Sequence, residues 1–164
     1  YGESVAGMPY SEALKLLSIY TTGSLAGVFC SSLALRTFLS PQMMLLGCTT
    51  VSTLALAVAC FFPSPTVMFG FSFIFGFAAA GGVVQLGLAM MAAQFPRARG
   101  RATGIYYSAG SISNFTMPLI TAWIVREWSI HEIFKFDVII SGCGILLAVF
   151  IAWRSRHAQA IDLN

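Results

Sequence analysis

Apolar residues occupy this chain in five long blocks, separated by short turns that are polar, basic or proline-containing. The longest uncharged stretch runs 60 residues, from Thr37 to Pro96. A soluble surface would not tolerate such a run, whereas roughly 20 apolar residues at about 1.5 Å rise cross a hydrocarbon core of about 30 Å. The stretch therefore divides into two membrane spans, with the break at Phe62-Pro63-Ser64-Pro65-Thr66. The five blocks predict transmembrane helices over 16–35, 43–62, 67–95, 102–125 and 138–153. Their apolarity is continuous, without the alternation of barrel strands, and internal glycine and proline are tolerated in helices within a bilayer. The expected fold class is an all-α integral membrane protein of five transmembrane helices.

Composition supports that pattern: 57% of residues are hydrophobic, 9% are charged and the mean hydropathy is +0.81. With so few charges, the net +3 is no signal for nucleic acid, and the expected surroundings are a lipid bilayer. The positions of the charges matter more. Arg36, the turn with Arg97, Arg99 and Arg101, and the tail with Arg154 and Arg156 fall on one side, giving six cations against Asp162 alone. The other side holds Lys15, Arg126 and Lys135 against five acids. Cation-rich short loops stay in the cytoplasm, which places the N-terminal end outside and the C-terminus inside a plasma membrane. The chain opens on Tyr1 without a basic segment before its first apolar block, so no cleavable signal is expected. A fragment of a longer protein, with an odd number of spans upstream, fits that orientation.

Polar positions inside the spans carry the candidate chemistry. In the fourth span Gly100, Gly104, Tyr107, Ser111, Asn114, Pro118 and Thr121 recur at intervals of four and three, forming one helical stripe. The stripe is either a packing seam between helices or a face lining an aqueous cavity. Pro118 removes a backbone donor and crowds the carbonyl of residue 114, which predicts a helix kink beside the Asn114 amide. In the third span, Ala78, Gly81 or Gly82, Gln85, Ala89 and Ala92 form a second stripe, and Gln85 is expected to face a partner helix or a ligand. The first span carries Tyr20, Gly23, Ser24, Gly27 and Ser31 on one side, with Gly23 and Gly27 at the spacing that favours helix packing. Thr49, Thr50, Ser52 and Thr53 of the second span are expected to satisfy their hydroxyls on their own backbone.

Catalytic and metal chemistry find no foothold. His131 and His157 are expected in solvated segments, away from any nucleophile or ligand set, and the four cysteines read as small apolar residues. No metal, cofactor or enzymatic role is expected.

The run Phe95-Pro96-Arg97-Ala98-Arg99-Gly100-Arg101-Ala102-Thr103-Gly104, continuing into Tyr107-Ser108-Ala109-Gly110-Ser111 and Pro118-Leu119-Ile120, resembles the major facilitator superfamily. It is similar to the cytoplasmic loop joining the fourth and fifth helices of a six-helix half. The segment from Gly23 to Gly27 followed by Arg36 resembles a degenerate form of the loop signature between the second and third helices, lacking its usual aspartate. The resemblance implies that residues 1–164 form the C-terminal half of such a transporter, helices eight to twelve. It implies secondary transport by alternating access, with a missing N-terminal half of the same chain completing the machine. Substrate contacts are then expected at Gln85, Asn114, Tyr107 and Ser111, with Tyr20 as a further candidate. Uncharged amides and phenols suit a neutral or polyhydroxy small-molecule substrate. Arg97, Arg99, Gly100 and Arg101 form the cytoplasmic loop, its arginines anchored to anionic headgroups or helix-end acids. The competing reading is a non-transporting membrane subunit or scaffold, whose stripes serve helix association alone.

Overall fold

A computed structural model describes residues 1–37 and 40–161, with side chains described through Arg154 except at Thr37. Helices α1 (Tyr10–Thr37), α2 (Pro41–Phe61), α3 (Pro65–Phe75), α4 (Val84–Gln94), α5 (Arg99–Glu127) and α6 (Ile130–Ile161) follow one another. A π-helical segment, Gly76–Val83, joins α3 to α4 without interruption. The described chain is therefore five long helical runs, as the five apolar blocks predict. The helices overrun the apolar blocks at most ends, because a helix continues into the headgroup region after its apolar stretch stops. The largest difference is α6, which begins at Ile130 and takes in the Glu132–Lys135 ion pair.

Four of the runs are both long and apolar enough to cross a membrane, covering Tyr10–Arg36, Pro41–Phe61, Pro65–Gln94 and Ile130–Arg154. The remaining run, α5, has 29 residues. At about 1.5 Å each it exceeds a hydrocarbon core of roughly 30 Å. Its polar stripe, rather than its length, dilutes its apolarity.

Local chemistry starts the central helices in matching ways. Ser40-Pro41 and Ser64-Pro65 place an extended serine before a proline at the first helical position. There the missing proline N–H costs nothing, because the first turn has no acceptor for it. The Ser64 hydroxyl additionally accepts from the Val67 N–H at 3.3 Å. Before α1, residues 1–8 form a tight turn that Gly7 closes with φ +66°, a conformation that suits glycine.

The tightest helix pair is α1 against the π-helical segment and α3. A methyl group added to Gly23 would overlap the Phe73 carbonyl oxygen, one on Gly27 the Phe77 carbonyl, and one on Gly76 the Tyr20 carbonyl. Glycines on both sides let the two backbones touch, the packing function expected for Gly23 and Gly27. At the same crossing Ser31 is buried and donates to the Gly81 carbonyl at 3.0 Å. Helix α2 packs on α6, while among the described residues α5 has its main contacts with α4 and α6.

Two apolar clusters close the bundle at different heights. One joins Ala6, Met8, Ala59 and Met68 with Tyr1, Phe71 and Phe134. The other joins Leu45, Leu86 and Ala148 with Met44, Val83 and Met90.

Candidate functional site

Among the described residues, no helix packs over the polar stripe of α5. Tyr107 is 55% exposed, and Gly100, Gly104, Ser111, Asn114 and Pro118 are exposed beside it. Methyl groups added at Gly100 or Gly104 would meet nothing within 4 Å. The stripe therefore projects away from the described bundle. Within it Ser111 donates to the Tyr107 carbonyl at 2.9 Å, so this hydroxyl is engaged on its own helix and has only acceptor capacity left. Asn114 makes no hydrogen bond to another described residue. Pro118 lies within a continuous helix, Arg99–Glu127.

Helix α5 is fastened by a residue that the stripe omits. Tyr106, adjacent to Tyr107, donates from Oη to the Val84 carbonyl at 2.9 Å, with its ring over Gly87. Its position off the polar stripe concealed it in the sequence. The signal available was the glycine opposite, since Gly87 leaves room for a ring.

That contact also fixes the height of Gln85, the next residue after Val84. Gln85 is half-buried, with no hydrogen bond to another described residue. The stripe proposed through it is only partly inward. Ala78, Gly82 and Leu86 are buried and Met90 packs beneath them, at steps of four, while Ala89 is exposed. The wider turns of the π-helical segment carry the inward face onto Leu86, which is 0% exposed. Asn114 lies eight residues beyond Tyr106, about 12 Å along the axis at 1.5 Å per residue. The two amides are thus held at different heights by separate helices.

A cavity of about 390 Å³ opens between α1, α2, the π-helical segment and α6. Tyr20 lines it, whereas Gln85, Tyr107, Ser111 and Asn114 do not. The hydroxyls of Thr49, Thr50, Ser52 and Thr53 donate to carbonyls of their own helix at 2.7–3.1 Å, as the sequence predicts.

His131 is not a freely solvated loop residue. It is half-buried on α6, where its Nδ1 shares a hydrogen bond of 3.0 Å with the Tyr1 hydroxyl. The Tyr1 ring stacks on Phe134 with centroids 3.7 Å apart. Burial, with the Cys60 thiol nearby, pushes the Tyr1 phenol above its ordinary value, so at neutral pH it remains a hydroxyl. The fold of residues 1–8 over the helix ends creates this pairing across 130 positions. His157 lies beyond the described side chains.

Arg97, Arg99 and Arg101 are exposed at the α4–α5 turn, and none forms an ion pair with another described residue. All four cysteines are free thiols.

The sequence profile described as Major Facilitator Superfamily matches residues 3–163. The chain belongs to the major facilitator superfamily. Among its relatives, the inner membrane transport protein YdiM of Escherichia coli is 51% identical over 156 residues. That match covers 95% of this chain and 38% of the relative. The inner membrane transport protein YdiN of the same organism is 37% identical across the whole chain and 39% of its own length. An uncharacterized transporter of this superfamily from Bacillus subtilis, YfkL, is 32% identical over 95% of the chain and 39% of its own length. The chain spans less than two-fifths of the curated relatives it matches. No solved structure matches it.

Proposed function

We propose that residues 1–164 form the C-terminal part of a secondary active transporter of a bacterial inner membrane, moving a small neutral solute by alternating access. One observation carries the reading: the exposed polar face of α5, with Asn114 unengaged, in a member of a transporter superfamily. A helix spanning lipid would lose several kcal/mol for each unsatisfied polar group. The face therefore belongs against water or protein, and the opposing surface comes from a further half of the longer protein. Tyr107 and Asn114 line the path from α5 and Gln85 from α4, with Ser111 accepting hydrogen bonds. Their different heights suit successive contacts along a path better than a single clamp. The N-terminal end of this piece lies outside and the tail in the cytoplasm, with Arg97, Arg99 and Arg101 at the cytoplasmic surface. The two E. coli relatives, both inner membrane transport proteins by name, support both the activity and the location.

The test uses the full-length protein in proteoliposomes, with uptake of radiolabelled neutral solutes from glycerol to hexoses. For a transported solute, Asn114→Ala and Gln85→Ala each reduce uptake about tenfold or more, as expected for losing one or two hydrogen bonds in a desolvated path. Membrane abundance stays at the wild-type level. Wild-type uptake in both variants removes the amides from the path. A scaffold role predicts no uptake of any solute by the wild type.

A further inference from the structure

The open cavity between α1, α2, the π-helical segment and α6 has a construction that the proposed transport path does not use. Its floor and roof are the two apolar clusters, and the same helices contribute to all three levels. Along the third run the order is Phe71 in one cluster, Phe75 to Val84 at the cavity, and Leu86 in the other, with Val83 shared between cavity and second cluster. Along α6 it is Phe134, then Ile140 to Gly144, then Ala148. The gap is thus an unfilled middle layer between two packed ones. Small residues make it: Ala79 and Ala80 on one wall, Gly144 on the other. The Ala79–Ala80 wall belongs to the π-helical segment, a form that occurs mostly as local insertions within α-helices and frequently at functional sites.

The lining chemistry is one-sided. Among the described residues no charged group lines the cavity, and an ion there would lie unpaired in a low-dielectric setting. Ser52 and Thr53 spend their protons on their own backbone but keep acceptor lone pairs. Tyr20 and Ser141 have no hydrogen-bond partner among the described residues, so both offer a donor and an acceptor into the space. Phe75 supplies a flat apolar surface.

We propose that this cavity is a second binding site, separate from the α5 path, for a small uncharged amphiphile. Its ligand presents hydroxyl or carbonyl groups to Tyr20, Ser141 and Thr53 and a flat apolar body to Phe75. At about 390 Å³ the site falls within the roughly 300–1,000 Å³ of small-molecule pockets.

The test uses the full-length protein in lipid nanodiscs, with phenyl β-glucoside, a neutral polyol joined to an aromatic ring, as the probe. In a Ser141→Cys variant, the small neutral reagent methyl methanethiosulfonate is added and modification is read by peptide mass spectrometry. Cys143, two positions on and facing out of the bundle, is the internal control. A solute-accessible cavity gives modification at position 141 at least about tenfold faster than at Cys143, because reaction requires a solvated thiolate. Phenyl β-glucoside slows modification at 141, and adding Tyr20→Phe weakens this protection about fivefold, the loss expected for one hydrogen bond. Adding Gly144→Leu removes the protection by filling the space, since a Cβ at Gly144 meets nothing within 4 Å. Equal, slow modification at both positions overturns the proposal, because a lipid chain or another helix then fills the gap. Absence of protection, or protection lost in Asn114→Ala and retained in Gly144→Leu, also overturns it.

Discussion

Gly23 and Gly27 show how much one missing methyl group decides. Their backbone faces the carbonyls of Phe73 and Phe77 so closely that any Cβ forces the helices apart. Gly27→Ala is expected to destabilise the protein by about 1–3 kcal/mol, the usual cost of overpacking. Gly70→Ala, with nothing within 4 Å of the added carbon, leaves stability unchanged or slightly raised. Thermal unfolding of the two purified variants makes the comparison, and an equal effect would contradict the close crossing. Tyr106 gives a second residue-scale expectation. Tyr106→Phe keeps the ring over Gly87 but loses the bond to the Val84 carbonyl, costing about 0.5–1.5 kcal/mol. Tyr106→Ala costs more, since it removes the packing as well. The spacing of Gly23 and Gly27 was legible in the sequence, whereas Tyr106 was hidden by its more conspicuous neighbour Tyr107.

At the scale of elements, the π-helical segment is the feature that the apolar pattern did not reveal. A block rich in alanine and glycine fits either helix type locally, and only the register against a neighbour distinguishes them. Here α1 supplies that register, with Ser31 donating to the Gly81 carbonyl. Ser31→Ala is expected to loosen the segment, seen as faster amide hydrogen exchange over residues 76–88 and wild-type exchange in α2. Unaltered exchange would mean that the glycine contacts alone hold the π-helical turns. Helix α5 makes the opposite case. Its spacing of polar residues was plain, but whether the stripe met a neighbour depended on where the other helices lay. The described helices leave it uncovered.

For the whole molecule, the proposed orientation follows from loop charge and has a direct check. Single cysteines at Ser64 and Ala98, in cysteine-free full-length protein, report the two sides through an impermeant maleimide applied to intact cells. Position 64 should label from outside and position 98 only after the membrane is opened. The reverse result would invert the proposed topology and place the basic α4–α5 turn outside. The cluster around Tyr1 belongs to this scale as well, because it ties residues 1–8 to α6 across the whole chain. His131→Ala removes that hydrogen bond while leaving the Tyr1–Phe134 stack in place. A loss of about 1 kcal/mol in thermal stability is expected.

The sequence by itself determined that this chain is an all-helical membrane protein and how many long helices it has, though α6 starts ahead of its apolar block. Hydropathy and the proline-containing breaks between apolar blocks are local properties that need no neighbour to be read. The run resembling the superfamily, from Phe95 to Ile120, likewise carried its information in adjacent residues. Tertiary structure alone decided which faces meet: that glycine backs glycine at the α1 crossing, that Leu86 rather than Gln85 turns fully inward, and that Tyr1 reaches His131. It also decided that a cavity remains between two packed layers. Each of these depends on distances between helices far apart in the chain, set by side-chain size on both partners at once.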